Sequence, residues 1–151
     1  MFTNSNLSSN MKGTELQIGD WVRYKANYPD KSLQRKICQV EGNHGRIDVR
    51  TLDGCYHESE HPDWLEGVEL KSEHLLTNEW TVDRYGIIRM EQSNPERRAK
   101  WNPESHICEV TRDDSTYSTR RRKKLVSKYV DYVHELQHAL RLCEIEKEIV
   151  L

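Results

Sequence analysis

Seven residues, Arg46-Ile47-Asp48-Val49-Arg50-Thr51-Leu52, alternate polar and apolar without a break, and Asp53-Gly54 follows at once. A period of two puts every second side chain on one face of a strand. Asp-Gly is a strong signal for a two-residue hairpin turn. Together they commit the first half of the chain to an antiparallel sheet. The surroundings agree. Gly19-Asp20 reads as a turn leading into Trp21-Val22-Arg23-Tyr24, a run of β-formers. Pro29-Asp30 marks a second turn, Lys36 to Val40 alternates as a second strand, Gly42-Asn43-His44-Gly45 reads as a tight turn, and Cys55-Tyr56-His57 begins the return strand. Trp64 to Leu70 closes the unit. Short strands at about ten-residue spacing suggest a small barrel or strongly bent sheet, and the expectation is an SH3-like unit over 14–70.

The second half reads differently. Ser72 is a candidate N-cap for a short helix reaching Trp80, with Leu75, Leu76 and Trp80 at helical spacing. Tyr85 to Met90 and His106 to Thr111 read as strands, with Ser93 to Ser105 a polar loop between them. Asp113-Asp114-Ser115 is a turn, and Tyr117 to Arg121 the hairpin return. Val130 to Glu144 has no Gly or Pro and is rich in helix formers. The expected fold class is therefore α+β: the bent N-terminal sheet, a short helix, then a second small sheet over 71–151 packed by a C-terminal helix. The two parts are expected to form one compact domain. Residues 1–13 are Asn/Ser-rich and aperiodic, and read as a disordered tail. Met11 is an alternative start, since pattern begins at Glu15.

Composition narrows the function classes. Leu, Ile, Val and Phe make up 32 of 151 residues, close to the roughly 20% level below which charged chains tend not to fold. That is lean for a large enzyme core. No apolar run approaches the roughly 18 residues of a membrane span. Residues 1–75 carry a net −3 and residues 76–151 a net +1, without the basic excess of a dedicated nucleic-acid binder. Cys38, Cys55, Cys108 and Cys143 lie far apart, with no C-x-x-C pair and no signal peptide before them. A cytoplasmic chain with reduced thiols is the expectation, two disulfides the alternative.

His134-Glu135-Leu136-Gln137-His138 matches HExxH inside a helical segment. On a helix, positions i and i+4 share a face, so His134 and His138 would ligate one zinc and Glu135 would act as general base. A catalytic zinc needs a third protein ligand. The extended pattern places a Gly and another His downstream, where this chain has Arg141 and Glu144. Glu73, His74 and His106 are upstream candidates. On a helical wheel, Val133, Leu136, Leu140 and Cys143 form an apolar stripe, and the two histidines fall almost opposite it. They are therefore expected to face solvent rather than a walled cleft.

Three other groups carry chemistry. Cys55, His57 and His61, with Cys38 and His44 close in strand order, have thiolate and imidazole character suited to zinc, but only His57/His61 has the usual spacing. The expectation is strand cysteines and a polar loop. Arg120-Arg121-Arg122-Lys123-Lys124 is a basic run suited to phosphates or to a solvated edge strand. Trp21, Tyr24, Tyr28 and Trp64 are candidates for an aromatic groove of the kind that holds extended peptides, with Trp21 expected in the core.

Ile18-Gly19-Asp20-Trp21-Val22, the Val68-Glu69-Leu70 segment with the helix ending at Trp80, and Tyr132-Val133-His134-Glu135-Leu136-Gln137-His138-Ala139-Leu140-Arg141-Leu142-Cys143 resemble a group of small proteins from gut Bacteroidetes and their phages and mobile elements. These anchors cover about a third of the chain. The resemblance implies a cytosolic α+β protein of phage or mobile-element origin and brings no established activity. In that group Glu135 and His138 are often replaced while the apolar helix positions stay, and a Gly is expected near Glu144, where this chain departs. The combined expectation is a non-enzymatic binding or adaptor module without a cofactor, contacting a protein or a nucleic acid and no membrane, with Arg120 to Lys124 as its binding residues. The alternative is a minimal zinc-dependent peptidase built on His134, Glu135 and His138.

Overall fold

The computed structural model describes residues 15–151; the expected tail at 1–13 and the choice between Met1 and Met11 fall outside the described residues. The protein is α+β and divides into two compact units, the first ending at Val68 and the second spanning Glu69–Leu151.

The first unit is a five-stranded antiparallel sheet of β1 (Trp21–Tyr24), β2 (Ile37–Asn43), β3 (Ile47–Thr51), β4 (Tyr56–Glu60) and β5 (Leu65–Gly67), in the order β4-β3-β2-β1-β5. β1 to β4 follow one another as a meander. A 3-10 turn, Pro62–Trp64, then carries the chain back, and β5 pairs with β1 through Val22↔Gly67 and Tyr24↔Leu65. The alternation seen in the sequence is the core: Val22, Tyr24, Cys38, Val40, Ile47, Val49 and Leu65 point to one side and are buried together with Leu16 and Leu33. Gly42 was expected within a tight turn. It instead forms a bulge inside β2, where the register slips between Val40 and Gly42 and a Cβ would stand 2.6 Å from Asp48 Oδ2. A side chain there would have to push the Asp48 carboxylate aside, so glycine suits the bulge. Among the turns, Gly54 has φ +92° and Gly45 +97°, a region side chains disfavour.

The second unit is a five-stranded antiparallel meander of β6 (Thr81–Val82), β7 (Ile88–Ser93), β8 (Glu96–Trp101), β9 (Ile107–Asp113) and β10 (Arg122–Tyr129), preceded by helix α1 (Ser72–Leu76) and followed by helix α2 (Val133–Leu142). Ile88, Met90, Ala99, Trp101, Cys108 and Val110 form its buried face. α2 is tied to this sheet at both ends. Trp101 Nε1 donates to the Val130 carbonyl at 3.0 Å, just before the helix. Arg97 Nε donates to the Cys143 carbonyl at 2.8 Å, and Gln92 brackets the residues beyond it, donating to the Glu144 carbonyl and accepting from the Glu146 N–H, both at 3.0 Å.

Several expectations are corrected. The polar loop expected over Ser93–Ser105 holds strand β8, after a turn with a cis Asn94-Pro95 peptide. β8 reads as polar because its inward face starts with Arg97, which bonds the end of α2, and only Ala99 and Trp101 on that face are apolar. The return strand expected over Tyr117–Arg121 begins only at Arg122. Lys71 occupies the N-cap of α1, with Ser72 as its first helical residue; the Lys71 N–H is held by His74 Nδ1 at 3.1 Å. No helix among the described residues is long and apolar enough to cross a membrane.

Candidate functional site

The HExxH residues lie on α2, but not as expected. Val133, Leu136, Leu140 and Cys143 are buried as the stripe requires, yet His134 is only 6% exposed and Gln137 1%. The buried arc of the helix is wider than the apolar stripe, so the histidines do not face solvent as a pair. His134 stacks on the Tyr132 ring at 5.9 Å and meets the His138 ring edge-on at 5.7 Å. Glu135 turns back to the helix start, where one carboxylate oxygen accepts the N–H groups of Asp131 at 3.0 Å and Tyr132 at 3.1 Å. This is the reach-back half of a capping box. It commits the would-be base to two otherwise orphaned backbone donors. Of the upstream third-ligand candidates, His74 caps α1, and His106 Nδ1 lies 2.8 Å from Asp131. Among the described residues, no three His, Cys, Asp or Glu side chains are grouped so as to hold a metal ion.

The other thiol and imidazole candidates are likewise apart. Cys38 is in the core of the first unit, and burial pushes its thiol up to about 12. Cys55 is exposed, and the Nδ1 of His61 accepts the Asp63 N–H at 3.1 Å to cap the 3-10 turn. His44 lies 3.3 Å from Asp48. All four cysteines are free thiols.

The basic run divides in two. β10 is an edge strand, and its register places Lys124 beside Thr111 and Arg122 beside Asp113. On the outward face of the sheet, cations and carboxylates interlock: Arg98 with Glu91 at 3.3 Å, Lys100 with Glu109 at 3.4 Å, Lys124 with the same Glu109 at 3.3 Å, and Arg122 with Glu96 at 2.9 Å. Lys100 and Lys124 in turn hold the Glu109 carboxyl below the usual range, although its partial burial opposes them. Arg112 pairs with Asp114 at 3.0 Å and Arg89 with Asp83. Arg120, Arg121 and Lys123 have no acidic partner among the described residues, and neither does Lys128 further along β10. The hairpin from Ile107 to Tyr129 carries seven Lys/Arg against three Asp/Glu, a net +4, in a chain of net −2. The sequence singled out the run. Its division is visible only with the structure: Arg120 and Arg121 precede the strand, and within it alternation puts Arg122 and Lys124 on the face that holds Glu96 and Glu109, and Lys123 on the other.

Two exposed rings belong to the same hairpin, Tyr117 in its loop and Tyr129 at the far end of β10, the latter 70% exposed. An eight-residue strand is roughly 27 Å long at about 3.4 Å per residue.

The aromatic candidates in the first unit also separate. Trp21 is buried, as expected. Tyr24 is fully buried, and its ring lies 4.6 Å from that of Tyr28, which meets Trp64 edge-on at 5.4 Å. Tyr28 Oη donates to both oxygens of Glu60, at 3.0 and 2.9 Å, a partner the sequence reading missed. Burial, and after it Glu60, raises the Tyr24 phenol far above its ordinary range and pushes Tyr28 up to about 12. In comparisons with protein-family models, curated proteins and solved structures, nothing matches this chain.

Proposed function

We propose that the protein is a non-enzymatic binding module whose second unit contacts the phosphate backbone of a single-stranded nucleic acid through the β9–β10 hairpin. One observation carries this reading. The cations of the regular sheet face are matched by carboxylates, whereas Arg120, Arg121, Lys123 and Lys128 of one hairpin are not. Paired cations are already neutralised, and adding a phosphate to them displaces a carboxylate. Unpaired cations attract a polyanion and release its counterions. Exposed Tyr117 and Tyr129 supply faces on which bases stack without regard to sequence. The near-balanced total charge, which argued against such a partner, averages over this segregation.

The commitment of Glu135 to the start of α2 supports a structural role for the HExxH segment over a peptidase. Strand order β4-β3-β2-β1-β5, with a 3-10 turn before β5, supports an SH3-like first unit. A cytoplasmic setting and a phage or mobile-element origin remain part of the proposal. The test is fluorescence anisotropy with a labelled 15-nucleotide single strand at low salt. The intact protein is expected to bind, and the Arg120→Ala/Arg121→Ala/Lys123→Ala variant to lose most of that binding. Equal binding by the two proteins would overturn the reading.

A further inference from the structure

From the first unit we infer a second binding surface, independent of the hairpin: Tyr28, Glu60 and Trp64 form a seat for the guanidinium of an arginine presented by an extended partner peptide.

The argument begins with charge. Between Cys55 and Trp64 the chain has Glu58, Glu60 and Asp63 and no Lys or Arg. The neighbouring acids outside this stretch are matched, Asp53 by Lys36 at 3.5 Å and Glu66 by Arg23 at 2.6 Å. Glu60 has only a hydroxyl, that of Tyr28, and no cation among the described residues. A carboxylate offers about four acceptor positions, so positions remain for the paired N–H groups of a guanidinium, which match carboxylate geometry better than an ammonium does.

Ring geometry supplies the rest. Tyr28 and Trp64 are half-buried and stand at 89° to each other. Two mutually perpendicular, partly exposed rings beside a carboxylate suit a flat cation, which stacks on one face while its N–H groups reach the acid. The surface is held in place from behind. The Tyr28 carbonyl accepts from Gln34 Nε2 at 2.8 Å, the Trp64 carbonyl accepts the Lys25 N–H at 2.9 Å, and the Trp64 N–H donates to the His61 carbonyl at 3.0 Å. Little ordering is left for binding to impose.

Two enclosed polar atoms lie near these rings. Tyr24 is fully buried; its hydroxyl has Glu60 in electrostatic reach but makes no hydrogen bond of ordinary length, and neither does the buried Nε2 of His57, whose ring lies 6.2 Å from that of Tyr24. Tyr24 is in ring contact with Tyr28 and within the electrostatic reach of Glu60. Buried polar atoms are seldom left unsatisfied.

The test is a 1H–15N NMR titration of the full chain with acetyl-Ala-Ala-Arg-Ala-Ala-amide, against the same peptide with citrulline, which keeps the shape and loses the charge, and with lysine. We expect saturable shifts confined to Tyr28, His57, Glu60 and Trp64. The citrulline peptide is expected to bind about tenfold more weakly or worse, with lysine between the two. Glu60→Gln is expected to abolish binding with its spectrum otherwise intact. Tyr28→Phe, which keeps the ring and frees Glu60 of its hydroxyl, is expected to retain binding and guards against a Glu60 variant that fails to fold. Equal shifts with arginine and citrulline, shifts located elsewhere, or unchanged binding in Glu60→Gln would each overturn the inference. So would shifts that vanish in the Arg120/Arg121/Lys123 variant, since the surface would then belong to the hairpin.

Discussion

The two units are built from the same part, a five-stranded antiparallel sheet, and handle charge in opposite ways. In the first, cations on the strands are matched, Arg23 by Glu66 and Arg50 by Glu41, while the carboxylate of Glu60 lies beside half-buried Tyr28 with no cation among the described residues. In the second, a lattice of ion pairs covers the outer face, and four cations of one hairpin, Arg120, Arg121, Lys123 and Lys128, stand outside it. Counted per chain, these cancel to −2. Near-neutrality therefore says little about partners; the local question is which charges find a mate when the strands align.

The largest expected effect separates structural from surface residues. Trp101 is 1% exposed and donates to the Val130 carbonyl; Trp101→Ala is expected to cost about 3–5 kcal/mol. In a urea titration followed by NMR, the loss should appear in residues of the second unit first. Simultaneous loss in both units would break the comparison by making them one cooperative body.

Next comes the motif that reads as catalytic. If Glu135 serves as a cap, Glu135→Ala lowers thermal stability by about 1 kcal/mol, and Glu135→Gln, which keeps an acceptor oxygen, lowers it less. Equal stability in all three proteins would contradict the capping role.

A smaller effect is expected in alkali. Tyr24 and Tyr28 have phenol pKa values raised above the ordinary value of about 10. The folded state therefore keeps protons that the unfolded state gives up. The contribution is fully present below about pH 10 and is lost as pH rises through the folded values. Urea midpoints between pH 9 and 11.5 should fall with pH, and less steeply in Tyr24→Phe. Because the Tyr24 hydroxyl makes no hydrogen bond of ordinary length, that variant should be as stable as the parent or slightly more so at pH 7.

The smallest effect tests the lattice itself. Arg122→Ala breaks a surface pair and should cost under about 1 kcal/mol, whereas Arg120→Ala should leave stability unchanged.

Much of this architecture was legible in the sequence, and the failures have physical causes. Arg46 to Leu52 announced β3 because one of its faces is buried and the other solvated, with a strong turn after it. β8 was missed because its inward side holds only two apolar residues, Ala99 and Trp101, after Arg97, and because Pro95 and Pro103 at its ends suggested a loop. The wheel for α2 placed its apolar stripe correctly but assumed that polar residues lie outside; buried His134 and Gln137 show that the helix is enclosed on a wider arc. The basic run was visible as a run, and Tyr28 and Trp64 as candidates. The partners Glu60, Glu96 and Glu109 were not: Glu96 and Glu109 meet cations of neighbouring strands through a register that composition does not record, and Glu60 meets Tyr28 of a loop 32 residues earlier.

The central claim is that unmatched charge, and not charge as such, does the binding. Its most direct test is the salt dependence of single-strand binding in two variants with similar numbers of charges removed. Arg120→Ala/Arg121→Ala/Lys123→Ala is expected to flatten the slope of log K against log salt by about 2, the value for three released counterions on a single strand. Arg122→Ala/Lys124→Ala, which removes cations already held by Glu96 and Glu109, is expected to change it by much less. Equal flattening by the two variants would contradict the account.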